Sequence, residues 1–263
     1  PLPLPWAPRV TRVVLFLPFK LYAIQDKRNF KLASSFCTNI LKNSVDLILI
    51  DPPYLISKDS NFKKISDSTS LDMAKKYNIS IDFGDWDKSE IDWDILFSEY
   101  HRVLKDGGTL IIFYDIWKST ELKLMADKYK FKQPRVCQWQ KTNPVPINSK
   151  LNYLSNAIEY FFTFVKGKKP TFNSVYDNGV YRHPICHGKE RYSHPTQKPL
   201  QLISDIISKH SNPGDVVLDT FAGTGTTAHS CILLNREYIV IEKDETYFDI
   251  IQNRIKTIKE TII

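Results

Sequence analysis

No stretch of the 263 residues offers the ~18 uninterrupted apolar positions that a membrane-spanning helix needs. Cysteine is sparse and scattered: Cys37, Cys137, Cys186 and Cys231 form no CxxC pair. A disulfide framework and a zinc knuckle are therefore not expected, and a reducing, cytoplasmic setting is. The opening PLPLPWAPRVTRVVLFLPFK lacks a leading basic region and a small-residue cleavage site, and Pro18 breaks its apolar run. A signal peptide is not expected there, and residues 1–24 read as an extension or a loose edge strand. Internal repeats and low-complexity tracts are also missing. What is present is a 42% hydrophobic content, ample for a packed globular core.

The net charge of +7 is unevenly distributed. Residues 141–200 carry nine basic side chains against three acidic ones, a net of +6, which leaves +1 for the rest. A basic segment on a near-neutral body is what a polyanion-binding surface requires, although a solvated lysine-rich face has the same composition.

Buried-strand patterns alternate with helical ones. Val45–Ile50 is a short apolar run stopped by Asp51-Pro52-Pro53. Helical spacing over residues 93–105 ends at Gly107-Gly108, and a strand is expected over Thr109–Tyr114. Further on come a helix over Leu200–His210, a strand Asp215–Asp219, a helix Thr226–Leu234 and a strand Glu237–Glu242. Such alternation implies an α/β fold, a mostly parallel sheet with helices on both faces. Residues 55–92 and about 145–192 resist the pattern and read as a loop and a basic insertion.

Asp219-Thr-Phe221-Ala222-Gly223-Thr224-Gly225-Thr226 leaves one strand and opens a helix. Glycine lets backbone approach a ligand closely, and the helix start favours an anionic group. Glu242 ends the following strand, where a carboxylate can meet a ribose diol. The same spacing satisfies a dinucleotide fingerprint, but the ionisable Asp219 and the threonine hydroxyls suit a single carboxylate better than a pyrophosphate. Asp51-Pro52-Pro53-Tyr54 is the other informative turn. Two prolines remove two N–H donors and leave carbonyl acceptors, Asp51 adds a carboxylate, and Tyr54 an aromatic face. An exocyclic amine on a planar base has the complementary chemistry. A plain Pro-Pro strand terminator is the structural alternative.

In the order DPPY (51–54), VLKDGGTLIIF (103–113), WQKTNPVP (139–146), HPTQKP (194–199), LDTFAGTGTT (218–227) and IEKDETYF (241–248), the chain resembles the β subgroup of amino-methylating DNA methyltransferases. The resemblance covers roughly residues 25–260. It implies a Rossmann-like methyltransferase fold over 25–263, with 55–92 a mobile loop and 145–192 a target-recognition insertion. It also implies S-adenosylmethionine as cofactor and double-stranded DNA as partner, with adenine N6 the expected target and cytosine N4 the alternative. The implied catalytic group is Asp51, Pro52, Pro53 and Tyr54. The implied cofactor contacts are His194, Thr196, Lys198, Asp219, Phe221, Ala222, Gly223, Thr224, Gly225, Thr226 and Glu242. Lys141, Asn143, Lys166, Lys168, Lys169 and Arg182 are expected on the DNA side, and Trp139 either shapes the base pocket or belongs to the core.

Relatives often carry an acidic pair before the DPPY strand, where this chain has Ala33-Ser34-Ser35. No Pro-Cys dipeptide accompanies the site, which excludes the covalent route to cytosine C5. His183-Pro-Ile-Cys186-His187 lacks a second ligand cluster, so no metal is expected. A homodimer is expected from the aromatic segment 77–100. From other classes, a catalytically impaired DNA-binding relative and a nicotinamide oxidoreductase remain as alternatives.

Overall fold

The computed structural model describes residues 20–23, 37, 40–53, 91–144, 155–167, 169–192, 194 and 196–262. The chain divides into two compact units, residues 1–52 with 92–263, and residues 53–91. Every strand and helix described here belongs to the first. Tyr54, Lys168, Ser34, Ser35 and nearly all of the 55–92 loop lie outside the described residues.

Eight strands form one sheet: β1 (Lys20–Ala23), β2 (Val45–Ile50), β3 (Leu104–Phe113), β4 (Lys132–Lys141), β5 (Ile158–Val165), β6 (Val180–His183), β7 (Val216–Asp219) and β8 (Glu237–Glu242). Their order is β1-β8-β7-β2-β3-β5-β4-β6, and β5 alone runs antiparallel. The helices are α1 (Trp93–Val103), α2 (Ser119–Lys128), α3 (Leu200–His210), α4 (Thr226–Leu233) and α5 (Glu245–Ile262). β2 reads as near-continuous Val, Leu and Ile because it lies centrally, between β7 and β3, and both its faces are covered.

The α1 register follows from its apolar spacing. Asp92 caps the helix by accepting from the Ile95 amide at 3.1 Å. Trp93, Leu96, Phe97, Tyr100 and Val103 then share the buried face. Phe97 meets Phe131 and Phe164 edge-on, and Trp93 does the same with Tyr114. Trp93, Phe97 and Tyr100 are thus core residues, which removes three of the six aromatics that motivated the homodimer; Tyr77, Phe83 and Trp86 lie outside the described residues.

Two expectations about elements change. β3 begins at Leu104 and runs through Gly107-Gly108, which therefore lie inside a strand. Gly107 has φ +84°, and a Cβ there would stand 2.6 Å from the Lys169 carbonyl oxygen, so only glycine fits that close crossing. The segment 145–192 is also more than an insertion. Residues 158–165 form β5, whose Phe161, Phe162, Thr163, Phe164 and Val165 are buried between β3 and β4. Residues 180–183 form β6 on the sheet edge.

The direction of β5 relocates one predicted DNA contact. Thr109 pairs with Val165 and Phe113 with Phe161, so Lys166 emerges beside the start of β3, away from the end where the parallel strands release their turns. Its ammonium donates to Asn43 Oδ1 (2.8 Å), His101 O (2.6 Å) and Leu104 O (2.6 Å). Burial and neighbouring Lys42 pull its pKa below the usual lysine value. Lys166 is a structural cation in this fold. Lys166→Met is expected to destabilise the protein by roughly 1–3 kcal/mol, since three acceptors lose a donor. Urea unfolding checks this, and the salt dependence of DNA binding should remain that of the wild type.

Candidate active site

At β7 and β2 the strand order reverses: the chain moves from β7 out to β8 on one side and from β2 out to β3 on the other. Adjacent turns therefore diverge and leave a crevice beyond the strand ends, the usual ligand position in an open α/β sheet. Leu47 pairs with Val217 and Ile48 with Leu218, so Asp51-Pro52 and the Asp219–Thr226 turn leave neighbouring strands at matching heights. Pro52 is buried and Asp51 partly so.

The glycine turn is built largely by its own side chains. Asp219 accepts from the Phe221 amide (2.9 Å) and from the Thr227 hydroxyl (2.6 Å), closing the turn against the first residues of α4. Burial, with Asp51 nearby, pushes its carboxyl up to about 7 despite those two donors. Both Asp219 oxygens are engaged inside the protein, a turn-closing role where a cofactor contact was expected. Thr220 shares a 2.6 Å buried hydrogen bond with Tyr100, locking the turn to α1. Gly225 sits at φ +80°, and a Cβ there would press on Ile251 Cγ1 at 2.9 Å, so glycine is required for close packing against α5. At Gly223 the requirement differs: φ is +52°, and the nearest atom to an added Cβ is His194 Nε2 at 3.8 Å. The left-handed φ is thus what asks for glycine there, with the His194 ring at ordinary contact distance from the missing Cβ.

Glu242, at the end of β8, faces the same turn. Its carboxylate accepts from the amides of Gly223 (2.7 Å), Lys243 (2.9 Å) and Asp244 (2.9 Å). Burial outweighs those three donors and raises its pKa to about 7. An enclosed, poorly solvated carboxylate gains most from hydroxyl donors, which suits a ribose diol. His194 completes this side. Its Nδ1 accepts from the Thr196 amide (3.2 Å), so the neutral ring carries its proton on Nε2, the atom nearest Gly223. Burial, helped by Lys198 and Arg191, lowers its pKa to about 4, and the ring rests against Tyr247.

Lys198 and Asn143 take different places from those expected, and Trp139 takes the second of its two. Lys198 donates to Asp51 Oδ2 at 2.5 Å and lies 3.3 Å from Glu159 Oε2, with its ammonium over the Phe113 ring. It serves the carboxylate of the DPPY turn. Trp139 is buried, and its indole N–H donates to His183 O (2.9 Å), so it is a core residue. Asn143 accepts from the Ile185 amide (2.7 Å) and pins the loop after β6. Lys141 and Arg182 lie at the catalytic end of the sheet, Lys141 paired with Glu159 (2.8 Å) and exposed Arg182 with Gln140 (3.0 Å). Among the described residues no cluster suits a metal ion, and His183 faces Asp205 at 3.3 Å.

Two residues of the site carry no sequence motif. Glu159 is the acid between Lys198 and Lys141. Arg254, from α5, donates to Thr224 O (3.1 Å) and Thr226 Oγ1 (3.3 Å) while lying over Tyr192, which braces the glycine turn from beneath. A lone charged residue within an otherwise apolar run, as in Ile158-Glu159-Tyr160-Phe161, is the signal that could have found the first. For Arg254 there was none beyond helical spacing.

The chain belongs to the DNA methylase family of N6 and N4 enzymes, whose model matches residues 45–253 and so takes in both turns, and it is thereby a DNA amino-methyltransferase. It is 29% identical over 258 residues to the Type II methyltransferase M2.MboI of Moraxella bovis, covering 89% of this chain and 90% of that one. It is 30% identical over 238 residues to M.HinfI of Haemophilus influenzae, covering 84% of this chain and 65% of that longer protein. Among solved structures, the M1.HpyAVI–SAM complex superposes with TM-score 0.64 at 27% identity, covering 89% of this chain and 98% of the other. The cytosine-N4-specific PvuII DNA methyltransferase reaches TM-score 0.66 at 14% identity, over 92% of this chain and 90% of that one, a likeness of fold.

Proposed function

We propose that the protein is a site-specific DNA adenine-N6 methyltransferase that uses S-adenosylmethionine, of the kind found in restriction-modification systems. The observation that carries the reading is the Asp51 carboxylate, held by a buried lysine at the end of β2, next to a glycine turn faced by Glu242. The residues present fit the cofactor: Glu242 accepts the ribose hydroxyls, and the Gly223 backbone, which carries no Cβ, with the His194 Nε2 proton takes the methionine end. When bound, S-adenosylmethionine supplies a sulfonium-activated methyl group.

The chain's own work is orientation and charge placement in a dry crevice. An aromatic amine delocalises its lone pair into the ring and is a poor nucleophile. Asp51 and the Pro52 carbonyl accept its two N–H bonds, which favours a more tetrahedral nitrogen and aims the lone pair at the methyl. Asp51 need not deprotonate the amine beforehand, because the proton becomes acidic only after transfer. The base must leave the duplex to reach this turn, at a cost of a few kcal/mol that stacking on Tyr54 partly offsets. Exposed Arg182, at the same end of the sheet, is the basic candidate for the DNA face, whereas Lys141 is turned to Glu159.

In the family that the chain resembles, aspartate before Pro-Pro-Tyr goes with adenine more often than with cytosine, and that tendency supports the choice of base. The test is digestion of DNA from cells expressing the protein and separation of its nucleosides by mass spectrometry. N6-methyladenine is expected; N4-methylcytosine would overturn the choice of base and leave the amine mechanism intact.

A further inference from the structure

Behind the Asp51 carboxylate stands a row of alternating charges drawn from four separate parts of the chain. Asp51, after β2, accepts from Lys198, which precedes α3, at 2.5 Å. Lys198 Nζ lies 3.3 Å from Glu159 Oε2 in β5, and Glu159 Oε1 lies 2.8 Å from Lys141 Nζ at the end of β4. The Lys198 side chain is 6% exposed, and Lys141's is 11% exposed. So enclosed a cation is costly unless charge surrounds it. Burial alone would lower its pKa, but Asp51 and Glu159 outweigh burial and hold it above the ordinary lysine value. Glu159 is the mirror case: burial pushes it up, and Lys198 and Lys141 more than reverse that.

The arrangement is more than a pair. One lysine facing one carboxylate would draw much of the Asp51 charge to itself and leave a weak acceptor. Here the lysine is shared. Its nearer contact points Asp51, while Glu159 on its other side takes up part of its field. Lys141 in turn keeps Glu159 ionised and in place.

We infer that Lys198, Glu159 and Lys141 are positioning residues for Asp51, forming a relay that fixes the direction of its carboxylate and sets its strength as an acceptor for the target amine. This rests on the assignment of Asp51 to that amine. Among the described residues, two further titratable groups face the relay. Asp51 also feels Asp219 from β7, and Lys198 also faces His194, which is neutral near pH 7.

The test uses the full-length protein and two substitutions that shift the field at Asp51 in opposite senses. Glu159→Gln removes a negative charge, so kcat should fall about tenfold, with the KM for cofactor unchanged. The acid limb of the kcat profile should move to lower pH by on the order of half to one unit. Lys141→Gln removes a positive charge, and the same limb should move to higher pH by a smaller amount. At saturating cofactor and DNA this limb reports groups in the loaded complex, so titration of Glu242 in the free enzyme does not enter.

Carboxyl carbon NMR of Asp51, without substrates, should show the same two opposite shifts with no turnover involved. Folded variants in which neither the limb nor the Asp51 titration moves would overturn the relay, and should Glu159→Gln not fold, Lys141→Gln alone decides. Failure of the underlying reading looks different: Asp51→Ala would then keep its methyl-transfer rate even with both NMR shifts present.

Discussion

Asp51→Ala is expected to lower kcat for DNA methylation by about 10²–10³-fold while S-adenosylmethionine binds with near wild-type affinity. The magnitude follows from removing a hydrogen-bond acceptor that engages fully only as the amine becomes tetrahedral, comparable to the loss of one donor from an oxyanion hole. The selectivity follows from position. Asp51 belongs to the β2 turn, whereas Gly223, His194 and Glu242 gather at the β7 and β8 ends. Asp51→Asn should fall nearly as far, because it keeps one acceptor oxygen but presents an NH₂ toward the amine. The alanine variant takes from buried Lys198 its nearer carboxylate, so its folding is verified by circular dichroism before its rate is read. Single-turnover rates and calorimetric cofactor binding together make the test, and near-normal turnover by Asp51→Ala would overturn the mechanism.

Cofactor affinity should depend on pH through Glu242. Its pKa in the free protein is raised to about 7 by burial, and a ribose diol is best held by the ionised carboxylate. Binding therefore weakens as pH falls through about 7. The stability consequence has the opposite sign. A carboxyl raised above its unfolded value contributes stability that is complete below that value, and the contribution is lost as pH rises through the folded pKa. Asp219, also near 7, acts the same way. The cofactor-free protein should lose stability between about pH 4 and 7, and the thermal shift produced by S-adenosylmethionine should grow over that window. Glu242→Ala should weaken binding by roughly 1.5–3 kcal/mol, more than tenfold, and flatten the pH dependence of the thermal shift. Unchanged affinity in a folded Glu242→Ala protein would remove Glu242 from the cofactor site.

Local pattern made part of this legible in advance. Val45–Ile50 reads as a buried strand because six apolar or tolerated residues precede two prolines, and that strand exists between those bounds. The helix at 200–210 and the strand–turn–helix–strand from 216 to 242 were visible for the same reason: periodicity and glycine placement are local properties. The segment 145–192 was not legible, because its basic charge masked the buried run of residues 161–165, whose partner strands are chosen by long-range pairing. Lys166 shows the consequence. Its charge suggested a phosphate contact, but a reversal of strand direction carried it to the opposite end of the sheet, onto three acceptors.

Residue order alone sets the chemistry available: which turns hold carboxylates, which lack N–H donors, and which need glycine. Those depend on residues adjacent in the chain, and six ordered motifs were enough to specify the family. Only the tertiary structure decided which charges face one another. Lys198 was read with the cofactor because its motif neighbours are His194 and Thr196. It meets Asp51, 147 positions away, because β2, β5 and the segment before α3 converge at one end of the sheet. Long-range pairing of that kind is set by strand order and direction, which depend on burial summed over the whole core, and no local stretch of sequence encodes it.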